Sequence, residues 1–317
     1  MIKRIKKEEK CLKALSESSE TIFAYPCDPS ESPPTSYYVL IFGPEDTPYE
    51  NGYFYFHVKL PDSFPMEPPK VKFLTQGNNV RFNPNLYVNG KVCLSVIGTW
   101  AGPGWSPANT VVSVLQIIQG MVMNENPLVN EPGFETAAKY KLSVYNEIVR
   151  YESFRTALLE QVLSVPFSGS DEVLSYFTNI TRTNFVSNIN KYRQRMIELS
   201  KIHDGSIYKI SYQSQKATPK YRDLMTKLNI VLGKVKTKFP DMDYSHIKDS
   251  IPTVKKTFPK LPPGLSNKEL LNISHKTKLK KLQDIALTLN INIKKQGITG
   301  QINKTKSELM FEIMEKS

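Results

Sequence analysis

The segment RFNPNLYVNGKVCLS, Arg81 to Ser95, contains the cysteine best placed for chemistry in this chain. It has no histidine, and the whole chain has three cysteines and four histidines. A thiolate can exchange acyl groups with an already activated thioester without a histidine partner. Asn85 precedes Cys93 by eight residues, and its side-chain amide is a suitable donor to an oxyanion. The segment therefore predicts nucleophilic acyl transfer through Cys93.

Cysteine usage and hydropathy exclude several classes of protein. Three cysteines without a C-x-x-C pair argue against a disulfide scaffold or a zinc ribbon and favour a reducing compartment. The basic start MIKRIKKEEK is not followed by the apolar segment of a secretory signal, and there is no apolar run long enough to span a membrane. We expect an intracellular protein, cytoplasmic or nuclear or both, with no membrane partner, no metal site and no cofactor.

The charge is unevenly distributed. Residues 1–165 hold 15 Lys+Arg against 17 Asp+Glu, a balance of −2, whereas residues 166–317 hold 27 against 13, a balance of +14. A basic half indicates an anionic partner, either nucleic acid or an acidic protein surface. A solvated lysine-rich surface fits the same numbers.

The elements that must position Cys93 follow from hydrophobic periodicity. Residues 1–16 have a helical pattern, with Ile5, Leu12 and Leu15 on one face. Four strand patterns separated by turn residues predict an antiparallel meander. These strands cover 21–25, 36–42, 53–60 and 70–74. In the third, Phe54, Phe56, Val58 and Leu60 share one face and Tyr53, Tyr55, His57 and Lys59 the other.

Helices are predicted after the irregular stretch 76–107. Ser106 is the predicted N-cap of the next helix, with Pro107 at its first position. The apolar face of this helix comprises Val111, Leu115, Ile118 and Val122. Further helical patterns cover 134–163, 184–201 and 219–237. The fold class is therefore α+β, with a mostly helical extension after a boundary near residue 166.

Several motifs resemble the catalytic domain of ubiquitin-conjugating enzymes, the UBC domain. They are GPEDTPYENG (43–52), FPMEPPKVKF (64–73), NPN (83–85), KVCLS (91–95) and WSP (105–107). The segments VIGTWAGPGW, NPNLY and NEPGFE are more similar to the large multidomain members of that family. The resemblance implies the UBC fold for the helix, the meander and the helices that follow.

The predicted organisation has four parts. Residues 1–165 form the catalytic domain, and 166–250 a helical basic extension of unknown role. Residues 251–265 form a Pro-rich linker, and 266–317 a small helical module similar to the SAP motif.

The family resemblance implies roles for particular residues. Cys93 would accept ubiquitin, or a ubiquitin-like protein, from an activating enzyme and pass it to a lysine of a protein substrate, either directly or with a ligase. Asn85 would stabilise the oxyanion or order the adjacent loop, and both readings stay open. Asn83 replaces a histidine that is chiefly structural in the family, which puts loop packing in question. Asn126 stands where many members have an acidic residue that orients the acceptor lysine, so lysine activation is expected to be weaker or to depend on a partner. Asn126 also fits an ordinary loop asparagine.

Two partner surfaces carry over from the family. The predicted contacts to the activating enzyme are Arg4, Lys6 and Lys7. The predicted contacts to a ligase are Met66, Pro107 and Ala108. A solvated helix face and an ordinary loop surface are the respective alternatives.

The last block resembles the SAP motif, a small helix-turn-helix of proteins that act on DNA or chromatin. Thr305 and Glu308 have the spacing of a capping box, which predicts a helix start there. A polar loop, NINIKKQGITGQINKTK, separates its two predicted helices. The predicted DNA contacts are Lys278, Lys280, Lys281, Lys304 and Lys306. A protein-docking module is the alternative.

Three functional hypotheses follow. The first is a ubiquitin-conjugating enzyme whose C-terminal module tethers it to DNA. The second is a catalytically inactive adaptor with the same fold, which binds pathway partners or nucleic acid. The third is a thiol hydrolase, which would need a histidine near Cys93, and His57 is the one histidine in the predicted catalytic domain.

Overall fold

A computed structural model describes residues 2–77 and 80–248, together with the backbone of 294–297 and 300–303. The predicted linker and both predicted helices of the SAP-like module, with their five lysines, lie outside the described residues. Within the described helices, none is both long and apolar enough to cross a membrane.

The chain begins with a helix and a four-stranded antiparallel sheet, as predicted. Helix α1 spans Ile2–Ser18 and buries Ile5 and Leu12. The strands are β1 (Ile22–Pro26), β2 (Ser36–Phe42), β3 (Tyr53–Lys59) and β4 (Lys70–Phe73), in the spatial order β1-β2-β3-β4. Each strand pairs with the next, so the predicted meander is confirmed.

The inner face of the sheet supplies the main core. Because side chains alternate along a strand, Phe54, Phe56 and Val58 of β3 point to this side, and all three are fully buried. They pack in one cluster with Leu12 of α1 and with the helices that follow the cysteine.

Helix α2 spans Val111–Ile117, so the predicted start at Ser106 and Pro107 is wrong. The N-cap is Thr110, whose hydroxyl accepts a hydrogen bond from the Ser113 N–H at 3.1 Å, while the Ser113 hydroxyl accepts one from the Thr110 N–H at 3.2 Å. This reciprocal pair satisfies two backbone donors at the helix start and outcompetes the Ser-Pro signal. Ser106 instead closes a turn, its carbonyl accepting from Asn109 N–H at 2.8 Å.

The predicted apolar face of α2 is confirmed, because Val111, Leu115, Ile118 and Val122 are all buried. Residues 118–122 continue it as a wider helical turn. Helix α3 spans Lys139–Glu152 and starts five residues later than predicted, and a second wide turn covers 153–158.

The extension packs on the outer face of the sheet. Helix α4 spans Asp171–His203 and helix α5 spans Tyr221–Lys238. The N-cap of α4 is Ser170, so this helix begins well before the predicted residue 184. Its buried side chains form a second cluster with the outward-facing Tyr53 and Tyr55 of β3.

Two short hairpins complete the described structure. Strands β5 (Tyr208–Lys209) and β6 (Lys216–Ala217) pair between α4 and α5. Strands β7 (Lys294–Gly297) and β8 (Gly300–Asn303) pair within the segment predicted as a polar loop, so that prediction is wrong for these eight residues. Gly297 lies opposite Gly300 at the end of this ladder.

Candidate active site

Cys93 is held by reciprocal backbone and side-chain hydrogen bonds to Asn85. The Cys93 N–H donates to the Asn85 carbonyl at 2.9 Å, and the Asn85 amide Nδ2 donates to the Cys93 carbonyl at 2.6 Å. The structure thus brings the two predicted catalytic residues together. In this arrangement the amide orders the backbone at Cys93, which is one of its two expected roles.

A tight turn leads the chain into Cys93. Gly90 has a φ of 89°, and a Cβ at this position would lie 2.7 Å from the Phe73 carbonyl oxygen. Only glycine adopts this conformation and close approach without strain. The backbone of Lys91 then forms an isolated β-bridge with that of Lys72 in β4. Cys93 therefore follows a segment that is paired with the sheet.

Asn83 is completely buried and well bonded. Its Nδ2 donates to the Tyr49 hydroxyl at 2.9 Å and to the Val122 carbonyl at 2.6 Å. Its Oδ1 accepts from the Asn85 N–H at 2.8 Å. An asparagine therefore satisfies the loop packing that the missing histidine had put in question.

Cys93 lines a pocket of about 450 Å³. Only 2% of the Cys93 surface is exposed, and this pocket is the open space beside it. Asn85 and Trp100 lie on its wall, and Trp100 is half exposed. The remaining lining residues are Arg81, Pro84, Tyr87, Val88, Asn130, Glu131, Pro132 and Gln213.

Arg81 is a fixed positive charge in the pocket wall. It is 7% exposed, and its guanidinium lies 3.7 Å from the centre of the Tyr87 ring and donates to the Pro84 carbonyl. Stacking on an aromatic face and a carbonyl acceptor stabilise a buried guanidinium. The backbone of Arg81 is also held, because its carbonyl accepts from the Tyr145 hydroxyl at 2.6 Å.

One side of the pocket comes from the extension, which sequence reasoning missed. Gln213 lines the pocket, and the Tyr212 hydroxyl donates to the Glu131 carboxylate at 3.0 Å. The Gln215 side-chain oxygen accepts from the Arg81 N–H at 3.2 Å. Burial raises the pKa of Tyr212, and the hydrogen bond to Glu131 raises it further, while nearby Arg81 lowers it. Tyr212 is therefore a stable neutral donor.

No local signal in the sequence could have identified these residues as part of the site. Glu131 and Tyr212 are 81 residues apart. The NEPGFE motif, which contains Glu131, indicates only a likeness to the family. The contact depends on how the extension returns to the catalytic domain.

Asn126 does not line the Cys93 pocket. Its N–H donates to the Asn124 side-chain oxygen at 2.8 Å, and its own side-chain oxygen accepts from Asn146 Nδ2 at 3.2 Å. Its predicted role near the acceptor lysine stays a prediction.

Arg4 has a structural role at the N-terminus of α2. Its guanidinium contacts the Glu8 carboxylate at 2.8 Å and donates to the carbonyls of Pro107 and Asn109. Glu8 is fully buried and accepts from the Val111 N–H at 2.9 Å. By contrast, the other two predicted contacts to the activating enzyme, Lys6 and Lys7, are exposed.

The two predicted ligase loops are joined to each other. Met66 is 75% exposed, and Pro107 and Ala108 are also exposed. Trp105 connects the loops, because its indole N–H donates to the Pro65 carbonyl at 2.7 Å. Together with the Arg4 contact to Pro107, this hydrogen bond makes the three predicted segments one surface.

No histidine is among the described residues that line the pocket. His57 lies with the tyrosines on the outer face of the sheet, where its ring is 5.5 Å from that of Tyr38. Burial lowers its pKa, and Lys59 and Lys72 lower it further. The arrangement suits acyl exchange at a thiol better than hydrolysis by a Cys-His pair.

Comparison with known proteins identifies a family for the first half of the chain. Residues 4–151 match the ubiquitin-conjugating enzyme family. Ubiquitin-conjugating enzyme E2 Z of Xenopus tropicalis is 54% identical over 130 residues, 40% of this chain and 41% of the frog protein. The Homo sapiens protein of the same name is 53% identical over 130 residues, 40% of this chain and 36% of that protein.

A third relative extends the likeness. Ubiquitin-conjugating enzyme E2 Z of Danio rerio is 38% identical over 212 residues, 66% of this chain and 62% of that protein. Since 165 residues precede the extension, an alignment of 212 residues includes residues beyond 165. The matches span less than two thirds of each of these relatives. Residues 4–151 thus match the UBC domain, the catalytic domain of E2 ubiquitin-conjugating enzymes.

Proposed function

We propose that Cys93 accepts ubiquitin, or a ubiquitin-like protein, as a thioester from an activating enzyme and transfers it to a lysine of a protein substrate. The observation that carries this proposal is the pair of reciprocal hydrogen bonds between Cys93 and Asn85 at the pocket of a UBC domain. A nucleophile and an amide donor are thereby held together, and no histidine is among the described residues that line the pocket.

The chemistry consists of two acyl transfers. In the first, the Cys93 thiolate attacks the thioester carbonyl on the activating enzyme, a C–S bond forms, and the enzyme's own thiolate leaves. In the second, a lysine amine attacks the Cys93 thioester, a C–N bond forms, and the Cys93 sulfur leaves and takes up the proton that the amine loses. Both steps pass through an oxyanion, to which the Asn85 amide can donate if it leaves the Cys93 carbonyl.

The first test is formation of the thioester. The full chain is mixed with ubiquitin, an activating enzyme and ATP, and the products are separated on a gel without reductant. We expect an adduct that thiol removes and that Cys93→Ala abolishes. Cys11→Ala and Cys27→Ala are the matched controls and should leave the adduct intact, since both thiols lie outside the pocket.

Failure to charge would favour the adaptor hypothesis. If several activating enzymes and ubiquitin-like donors give no adduct, the UBC domain acts by binding alone. A hydrolase would instead release product from a thioester or amide without prior charging, and His57→Ala would abolish that release.

The partner surfaces belong to the same proposal. Exposed Lys6 and Lys7 would meet the activating enzyme, and the joined surface of Met66, Pro107 and Ala108 would meet a ligase. Charge reversal of Lys6 and Lys7 should slow charging and weaken its salt dependence, because exposed cations steer association. Met66→Ala should leave charging unchanged and reduce only ligase-dependent transfer.

We also propose that the basic C-terminal half tethers the enzyme to DNA. Support comes from its net charge of +14 and from the SAP-like pattern with Lys278, Lys280, Lys281, Lys304 and Lys306. Duplex DNA should bind the full chain with an affinity that falls steeply with salt, and replacing those five lysines with alanine should reduce the salt slope. Unchanged binding after that replacement would favour a protein-docking module.

A further inference from the structure

The pocket around Cys93 contains one carboxylate that the proposed chemistry has not used. Among the described residues that line it, Glu131 is the sole acid and Arg81 the sole base. The Arg81 guanidinium stacks on the Tyr87 ring and donates to the Pro84 carbonyl, so it already has partners within the pocket wall. A cationic amine that enters the pocket therefore meets one group of opposite charge.

The extension holds this carboxylate in place. The Tyr212 hydroxyl donates to Glu131 Oε2 at 3.0 Å. An ionised carboxylate accepts about four hydrogen bonds, so the Tyr212 bond leaves capacity for an incoming amine. Tyr212 is 7% exposed, and its ring meets Phe134 and Tyr145 edge-on at 5.8 and 5.9 Å.

The loop that carries Tyr212 contains two residues in an unfavourable backbone conformation. Gln213 and Ser214 have φ values of 51° and 50°, in the left-handed region that side chains other than glycine seldom adopt. Such conformations persist where surrounding contacts impose them, and they cluster at functional sites. Here Gln213 lines the pocket, and the bond between Gln215 and Arg81 N–H anchors the end of the loop.

We propose that Glu131 orients the incoming lysine amine at the Cys93 thioester, and that Tyr212 is its positioning residue. This inference rests on the proposed function and assigns the acceptor side of the same pocket. It also gives the extension a role in transfer: the loop between β5 and β6 completes a site that residues 4–151 alone leave open.

The bond changes define what Glu131 does. The ammonium that Glu131 attracts first releases one proton to water, because only the neutral amine can attack. The carboxylate then accepts a hydrogen bond from a remaining N–H, so that the nitrogen lone pair points at the thioester carbonyl. As the C–N bond forms and the C–S bond breaks, the amine proton passes through Glu131 or water to the departing Cys93 sulfur. Hydroxylamine is a weaker base than lysine and is mainly neutral near neutral pH, so its attack should depend less on this carboxylate.

Single-turnover discharge tests the inference apart from the proposed function. The full chain is first charged with ubiquitin, the activating enzyme is stopped, and free L-lysine or hydroxylamine is added while loss of the adduct is followed. Charging measures the proposed function, and the ratio of the two discharge rates measures the inference.

We expect Glu131→Gln to charge normally and to slow discharge to lysine by at least about 10-fold, with discharge to hydroxylamine within about twofold of the parent. Tyr212→Phe keeps the ring contacts and should show the same selectivity with a smaller loss, about two- to fivefold. Glu135→Gln is the matched control, because this exposed carboxylate lies outside the pocket, where it accepts from the Gly133 N–H at 2.8 Å.

Two results would overturn the inference. Equal lysine discharge by Glu131→Gln and the parent would show that the carboxylate does not meet the amine. An equal loss with lysine and hydroxylamine would show a purely structural role. Absence of charging in the parent chain would instead refute the proposed function itself.

Discussion

The two faces of the four-stranded sheet are packed by different means. The inner face presents apolar side chains, such as Val39, Phe54 and Phe56, to α1 and α2. The outer face presents tyrosines to the extension, and the buried Tyr53 hydroxyl donates to the Thr181 carbonyl of α4 at 3.1 Å. The inner face of the sheet is packed mainly by apolar side chains, whereas on the outer face the hydroxyl of Tyr53 also bonds to α4.

This difference shows how the extension is attached to the sheet. Tyr25 of β1 and Tyr38 of β2 reach Glu172 and Ser168 near the start of the extension, with hydrogen bonds of 2.5 and 3.1 Å. The Tyr38 ring also stacks on Phe167 at 3.7 Å. An aromatic ring contributes buried area and its hydroxyl contributes direction, so the outer face determines where α4 lies.

The largest expected effect comes from emptying either core. Phe177→Ala in α4 removes a fully buried ring that meets Tyr55 at 5.9 Å, and Phe56→Ala removes one that meets Phe73 at 5.3 Å. Each should lower the free energy of unfolding by about 3–5 kcal/mol. Urea denaturation should show one transition in both variants. A separate early transition in Phe177→Ala alone would mean that the extension unfolds independently of the sheet.

A smaller effect distinguishes the hydroxyls of the two faces. Tyr49→Phe leaves the Phe82 carbonyl without its donor and takes one acceptor from Asn83, so it should cost about 1–3 kcal/mol. Tyr53→Phe should cost about 0.5–1.5 kcal/mol, because the Asn184 oxygen keeps a second tyrosine donor. Urea midpoints measure both values. A larger loss for Tyr53→Phe would reverse the order of the two faces.

Helix caps provide the next comparison. Thr110→Ala breaks the reciprocal capping box of α2 and should cost about 1–2 kcal/mol. Ser170→Ala removes one hydrogen bond of 3.4 Å to the Val173 N–H and should cost about 0.5 kcal/mol. Thermal unfolding is sensitive enough to rank them, with Thr110→Ser as the control that retains the cap. Equal shifts would show that the two helix starts depend on their caps alike.

The smallest effect is a pH dependence at the end of α4. Burial lowers the pKa of His203, although Glu147 at 3.5 Å opposes the shift. The unfolded chain therefore binds a proton first, and this histidine makes stability fall as pH drops below about 6.5, with no contribution above it. Unfolding free energies at pH 7 and pH 5.5 should differ less in His203→Gln than in the parent. An unchanged difference would exclude His203 as the cause.

Local pattern was sufficient to predict the sheet and the proximity of Cys93 to Asn85. The alternation in β3 placed Phe54 and Phe56 on the inner face, and the short spacing between Asn85 and Cys93 let one loop hold both. The start of α2 was predicted wrongly because the capping box of Thr110 and the buried Glu8 carboxylate both act on the N–H groups after residue 109. The Glu8 contact comes from a helix 103 residues away.

The sequence by itself determined the strand order, the first helix and the pairing of Cys93 with Asn85, because each depends on neighbours within one element or one loop. Only the tertiary structure decided that the extension covers the outer face of the sheet and that Tyr212 meets Glu131, which lines the Cys93 pocket. Those contacts join segments 81 or more residues apart, and their partners are chosen by shape, charge and hydrogen bonding after the chain has folded back on itself.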